Sequence, residues 1–275
     1  MLKRRVVTAL WGIPLIIFAI WFDEPWPWFT VLAAVWGLLA VLEFYRMVGV
    51  AKSLPLTCFG MVWTLLFILH PHCTYEMVVP LLLTSSIALS LILLVFLPKK
   101  EDAFTGWAWM MAGILYLGWL LSYLVALRLE PGTAAFPDNG RNFVFLALFA
   151  TFGSDIAAYF IGKAIGKHKL APRISPGKTW EGAIAGIFGA VIISLLFKLP
   201  TPLQVPLSYW QAMLLGVLVS VFGQIGDLAE SLLKRNSGVK ESGNLMPGHG
   251  GLLDRMDSVL FAGVVVYLYY IFVVA

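Results

Sequence analysis

Between residues 231 and 257 the chain reads Ser231-Leu-Leu-Lys234-Arg235-Asn-Ser-Gly-Val-Lys240-Glu241-Ser-Gly243-Asn-Leu-Met-Pro247-Gly248-His249-Gly250-Gly251-Leu-Leu-Asp254-Arg255-Met-Asp257. These residue types handle phosphate and a hard cation. Lys234, Arg235, Lys240 and Arg255 can neutralise phosphate oxygens. Gly248, Gly250 and Gly251, flanking His249, let backbone come close to a bulky anion. Asp254 and Asp257 are three residues apart at the start of an expected helix, so they share one face. With Asp227 on another helix they suit magnesium, which takes oxygen ligands and commonly one or two carboxylates beside substrate phosphates. The plainer alternative is a solvated basic loop leading into a helix whose first turn favours acidic residues. Against it, Asp254-Arg255-Met256-Asp257 runs straight into an apolar segment, an expensive place for idle charge.

Two further carboxylates lie inside apolar segments: Asp155 in Gly153-Ser154-Asp155, and Asp227 in Gly223-Gln224-Ile225-Gly226-Asp227, with Glu230 one turn later. A carboxylate at membrane depth costs about 2.5–3.5 kcal/mol on insertion scales, and such residues usually face a protein interior or a wet cavity. Asp155 fits a functional role and a structural ion pair equally well. Asp227 favours function, because Gly223 and Gly226 leave room for a ligand. A second polar stretch, residues 163–181, includes Lys163, Lys167, Lys169, Arg173 and Lys178 among glycines and prolines. Its Gly177-Lys178-Thr179 resembles the end of a phosphate-binding loop. The first glycine of that motif falls at Pro172 and no strand is expected before it, so a Walker-type loop is rejected. Backbone amides at the following helix start could still hold phosphate, with Ser175, Lys178 and Thr179 beside them. Lys163 and Lys167 read equally as ordinary cytoplasmic charge.

The elements that must position these residues are membrane helices. The 275 residues are 60% hydrophobic and 12% charged. Soluble domains are about 45–50% apolar and about 25% charged. Cys58 and Cys73 have no metal-ligand spacing and provide no disulfide framework. A span needs about 20 apolar residues. Nine candidates follow, at roughly 5–22, 26–47, 54–70, 76–97, 104–127, 142–162, 181–199, 208–230 and 256–274. Lys3-Arg4-Arg5 before the first span, without a small-x-small cleavage site after it, reads as an uncleaved first helix. With a cytoplasmic N-terminus and alternating spans, 16 of the 19 Lys and Arg residues fall inside and only Arg128, Arg141 and Lys198 fall outside. Dropping one early span destroys that segregation. The expected fold is therefore all-α and polytopic, with about nine spans. Residues 1–140 are read as scaffold, dimerisation or lipid contact. Residues 141–275 are read as the working half, with cytoplasmic loops 163–181 and 231–257.

The stretch from Ser231 to Asp257 resembles the signature of the phosphatidate cytidylyltransferases, S-x-x-K-R-x4-K-D-x-G-x2-L-P-x-H-G-G-x2-D-R-x-D. Ser175-Pro-Gly-Lys178-Thr-Trp-Glu181 and Gly153-Ser154-Asp155 are similar to that family too. The chain departs from the pattern at Glu241, where the family has aspartate, and at Met246, where it has other aliphatics. Glu241 keeps the charge and adds a methylene, which would alter direct metal geometry but not a loop-ordering role. The resemblance implies that CTP and phosphatidate give CDP-diacylglycerol and pyrophosphate in phospholipid synthesis. It also implies a magnesium requirement with potassium as a companion ion, a homodimer in the inner (cell) membrane, and a polar cavity facing the cytoplasm. It makes Asp227, Asp254 and Asp257 the metal ligands, with Asp155 a further candidate. Lys178, Lys234, Arg235 and Arg255 would hold phosphates, Lys167, Lys240 and the glycines would help bind substrate, and His249 would position or protonate a phosphate oxygen. No nucleic-acid partner is expected.

Two other functions compete. A CDP-alcohol phosphatidyltransferase would need D-G-x2-A-R-x8-G-x3-D-x3-D, and the closest element here is the tighter Asp254-x2-Asp257. A transporter using Asp155 and Asp227 as ion carriers would carry polar residues in both halves, and the first half offers no counterpart.

Overall fold

A computed structural model of the chain describes residues 2–22, 25–97, 103–243 and 250–274, with side chains from residue 10 onward. It is an all-α polytopic membrane protein with one small β-hairpin. The helices are α1 (Leu2–Trp21), α2 (Trp28–Met47), α3 (Leu54–Leu69), α4 (Val78–Phe96), α5 (Ala103–Gly113), α6 (Leu120–Leu129), α7 (Asn139–Ile165), α8 (Trp180–Leu196), α9 (Tyr209–Asn236) and α10 (Asp257–Tyr269). A π-helical stretch, Ile114–Trp119, joins α5 to α6 in one helical run. A helix thus stands at each of the nine expected places. Among the described residues, seven helical runs are long and apolar enough to cross a membrane. The two shorter apolar pieces are Leu10–Trp21 and α8. The 17 residues of α8 reach only about 26 Å at 1.5 Å per residue, under the roughly 30 Å of hydrocarbon.

The stretch at 163–181, expected as a loop, contains two strands. β1 (Lys169–Ala171) pairs antiparallel with β2 (Ser175–Thr179), with Lys169 opposite Thr179 and Ala171 opposite Ser175. Its prolines disguise it: Pro172 falls between the strands, while Pro176 sits inside β2. An isolated two-stranded ribbon is marginal in water, and this one is tied down at its base. The Trp180 amide donates to the His168 carbonyl at 2.9 Å, and His168 Nδ1 lies 2.7 Å from Glu181 Oε1. Gly177-Lys178-Thr179 is therefore strand rather than a phosphate-wrapping loop.

The described residues form two compact units. The first holds Met1–Val125 and Glu241–Asp254, so a segment expected with the C-terminal half groups with the N-terminal helices. Its core is built around Phe44, Tyr45, Phe67, Ile68, Met110 and Ile114, all fully buried. The Tyr45 hydroxyl, in this apolar setting, donates to the Met110 carbonyl at 2.9 Å. Such a partner is what a buried phenol needs.

The second unit holds Ala126–Lys240 and Arg255–Ala275. Apolar burial distinguishes poorly between helix partners in lipid, so close approach and polar contacts must hold the helices together. Small residues supply the approach. A Cβ placed on Gly189 of α8 would sit 2.6 Å from the Gly153 carbonyl oxygen of α7, and one on Gly216 of α9 would sit 2.7 Å from Val191 Cα of α8. Polar side chains supply the rest. Ser154 and Ser220 hydroxyls meet at 2.7 Å, and Gln224 Nε2 donates to Ser220 Oγ at 2.9 Å and to the Ala183 carbonyl at 3.1 Å. A capping box starts α9: Ser208 Oγ accepts from the Gln211 amide, and Gln211 Oε1 accepts from the Ser208 amide at 2.7 Å.

This packing is testable. Gly189→Leu should destabilise the detergent-solubilised protein by about 1–3 kcal/mol, the usual range for overpacking, in a thermal melt followed by tryptophan fluorescence. Gly12→Ala, where a Cβ meets nothing within 4 Å, should leave the melt unchanged or raise it slightly.

Candidate active site

Within the second unit, the hairpin and α9 bring together residues that lie 49 positions apart or more in the chain. Lys178 Nζ, on β2, pairs with Asp227 Oδ2, on α9, at 2.6 Å; the two side chains are 23% and 33% exposed. The Ser231 hydroxyl, one turn along α9, donates to Asp227 Oδ1 at 3.4 Å. Arg235, one turn further, donates from Nε to the Ile174 carbonyl of the hairpin and from Nη1 to the Val239 carbonyl, both at 3.3 Å. Asp227, Ser231 and Arg235 thus follow a four-residue step along one face of α9, the spacing that puts helical side chains in a row. Glu230, fully buried, pairs with Lys234.

Asp257 opens α10 and is buried, with Oδ1 accepting from the Ser258 amide at 2.8 Å. Asp227 lies close enough to act electrostatically on both Asp155 and Asp257; Lys178 acts on Asp155, and Lys234 on Asp257. Three carboxylates and two lysines therefore share one electrostatic neighbourhood. This joins Asp155 to the group as well, although its side chain is exposed on α7. Thr179 is buried, and its Oγ1 accepts from the Gly182 amide at 3.2 Å, capping α8. Its hydroxyl is engaged in that cap. Ser175 is half-buried, while Lys167, Lys240 and Arg255 are exposed.

In the first unit, the described residues of the Glu241–Asp254 segment, 241–243 and 250–254, are organised around carboxylates. Asp254 Oδ2 accepts three hydrogen bonds, from the Ser242 amide and hydroxyl at 3.1 Å each and from the Gly251 amide at 2.9 Å. Gly250 has φ +83°, a left-handed conformation natural to glycine, and a Cβ there would come 3.0 Å from Asp254 Oδ2. The described glycines of this segment thus admit the protein's own carboxylates at close range. Glu241 stands beside them: its Cδ is 3.6 Å from where a Gly250 Cβ would sit. Gly248 and His249 lie outside the described residues.

One residue of this segment's environment was not singled out from the sequence. Glu43, on α2, is 2% exposed, and its Oε2 accepts from the Leu252 amide at 2.7 Å and the Leu253 amide at 3.1 Å. The signal was available: a carboxylate inside an apolar helix, the same feature that drew attention to Asp155 and Asp227. It lies near Arg46, at the expected cytoplasmic end of a span, where charge is ordinary.

Among the described residues, no three His, Cys, Asp or Glu side chains gather as a metal cluster. Magnesium does not require one, since it commonly takes one or two carboxylates and completes its shell with phosphate oxygens and water. Asp227 and Asp257 offer all-oxygen donors of that kind.

Comparisons with known proteins identify the family. The cytidylyltransferase family model matches residues 3–273. A phosphatidate cytidylyltransferase of Bacillus subtilis is 33% identical, over 98% of this chain and 97% of the relative. One from Staphylococcus haemolyticus is 33% identical over 94% of this chain and 95% of the relative. One from Brucella suis is 44% identical over 60% of this chain and 58% of the relative. A match across nearly the whole chain, on a scaffold of membrane helices that pairs Lys178 with Asp227, places the protein in the cytidylyltransferase family.

Proposed function

We propose that this enzyme transfers a cytidylyl group from CTP to phosphatidate, giving CDP-diacylglycerol and pyrophosphate for phospholipid synthesis. The observation that carries the proposal is the Lys178–Asp227 pair on a hairpin and helix held together by Arg235. It sets a cation and a carboxylate side by side among further carboxylates. A phosphate oxygen of phosphatidate attacks the α-phosphorus of CTP, a new P–O bond forms, and the bond from the α-phosphorus to the bridging oxygen breaks. The electron pair leaves with pyrophosphate. The attacking phosphate is already anionic, so the main task is to offset charge on the reacting phosphates. Lys178, Lys234, Arg235 and Arg255 supply positive charge for that purpose, and Lys167, Lys240 and Ser175 line the approach. Magnesium, when held by Asp227 and Asp257, would offset charge on the phosphate oxygens. Asp254 orders the loop that leads into α10.

Placing the reaction on the cytoplasmic side of the inner membrane is supported by the 16-to-3 division of Lys and Arg. The same alternation makes the nine helical runs nine spans, with the short α8 completing its crossing with help from flanking residues. The homodimer rests on the family resemblance. An ion-coupled transporter is the other class that acidic residues in membrane helices suggest.

Purified protein with CTP, phosphatidate and magnesium should release pyrophosphate, with ATP, GTP and UTP inactive, and chelation by EDTA should abolish turnover; potassium is varied in parallel. Ion flux in liposomes without any nucleotide requirement would point to the transporter instead. Asp227→Asn should lower kcat/KM on the order of 100-fold or more, a typical loss for one group aimed at developing charge. The pair itself offers a sharper test. Lys178→Asp with Asp227→Lys should recover the thermal stability lost in each single variant, because the attraction is symmetric. Activity should stay lost, because cation and phosphate each need their own sign of charge in place. A swapped protein with near-normal turnover would show that the pair is only structural.

A further inference from the structure

We propose that Glu43 is a positioning residue for the reaction: it holds residues 250–253, beside Gly243, in the shape that presents Asp254. The inference rests on the functional reading of that segment given above. Glu43 and the backbone it grips are 209 and 210 residues apart in sequence, yet its Oε2 accepts from two consecutive amides, those of Leu252 and Leu253. These lead into the short 3-10 turn Leu253–Arg255. Amides at the start of such a turn have no partner within it, and a carboxylate satisfies them with the favourable sign of charge.

The segment is shaped to receive this side chain from both of its arms. A Cβ on Gly243 would sit 2.8 Å from Glu43 Cδ, and one on Gly251 would sit 2.8 Å from Glu43 Oε2. Neither position leaves room for a larger residue without moving the glutamate. Asp254 closes the segment from within, through Ser242 and Gly251, while Glu43 fixes the two peptides just before Asp254 from outside. The two carboxylates therefore grip alternate parts of one backbone path. Glu43 Oε1 is buried and, among the described residues, has no hydrogen-bond partner. Accepting from two consecutive backbone amides and fitting against two glycines, Glu43 holds the described residues of this segment to one conformation.

The test uses full-length protein in detergent, with Glu43→Ala and Glu43→Gln compared by steady-state kinetics and by hydrogen exchange read by mass spectrometry. Glu43→Ala should lower kcat/KM for CTP by about 10- to 100-fold, as expected for displacement of reacting groups. Exchange should rise over residues 250–256 and stay at wild-type levels in α7–α9. Glu43→Gln should recover most of both, since its amide oxygen can accept the same two hydrogen bonds. Wild-type kinetics in Glu43→Ala, unchanged exchange over 250–256, or exchange that rises equally across all the helices would each overturn the proposal. Should Glu43→Ala fail to fold, Gly243→Ala perturbs the same contact from the other side, and wild-type exchange over 250–256 in that variant would overturn it too. If the wild-type protein shows no cytidylyl transfer, the proposed reaction fails, and the exchange comparison still decides whether Glu43 holds the segment.

Discussion

Ionised groups in a largely apolar protein need partners, and this requirement organises the described polar residues of this chain. A lone carboxylate at membrane depth is expensive, and removing one partner of a buried pair strands the other. Each buried or half-buried carboxylate near the proposed chemistry accordingly has a definite partner. Asp227 has Lys178, Glu230 has Lys234, Glu43 has two backbone amides, and Asp254 has Ser242 and Gly251. None of these partnerships joins only neighbours on a solvated surface. The Lys178–Asp227 pair ties a hairpin to a helix, and Glu43 ties a helix near the N-terminus to a segment near the C-terminus. The charges that suit phosphate chemistry also determine which segments come together.

The framework beneath these charges is made of contacts that carry no charge at all. In α7, α8 and α9, glycines bring backbones close enough for Ser154, Ser220 and Gln224 to reach one another. That close packing fixes the axis of α9, and α9 in turn presents Asp227, Ser231 and Arg235 at successive turns. Arg235 then reaches the hairpin carbonyl of Ile174 and brings Lys178 to Asp227. A displaced glycine contact would therefore be felt at the ion pair through the shared helix α9.

Much of this was legible in the sequence, for identifiable reasons. Runs of apolar residues near the length of a bilayer announce helices directly, and a helix stands at every expected place. Asp227, Asp257 and Lys178 were readable because charge inside or beside an apolar run is conspicuous. The hairpin was not, because Pro172 and Pro176 mask a strand pattern that is only three and five residues long. Glu43 was not, because a charge near a span end is ordinary in membrane proteins and its partners are backbone amides more than 200 residues away. The roles of Gly250 and Gly251 were half legible. Glycine signals close approach, but residue types alone do not say whether substrate or the protein's own carboxylate approaches.

The Lys178–Asp227 pair also bears on how substrates bind. Lys178 and Asp227 neutralise each other across 2.6 Å. A nucleotide phosphate that draws on Lys178 leaves Asp227 without its cation, and a metal ion that draws on Asp227 leaves Lys178 without its anion. Either change alone exposes an unbalanced charge in a setting where screening by water is weak. In the proposed reaction, nucleotide and metal arriving together would exchange one balanced pair for two, Lys178 with phosphate and Asp227 with the metal. Such an exchange would favour the metal–nucleotide complex over either component, because only the complex would offer both charges a partner.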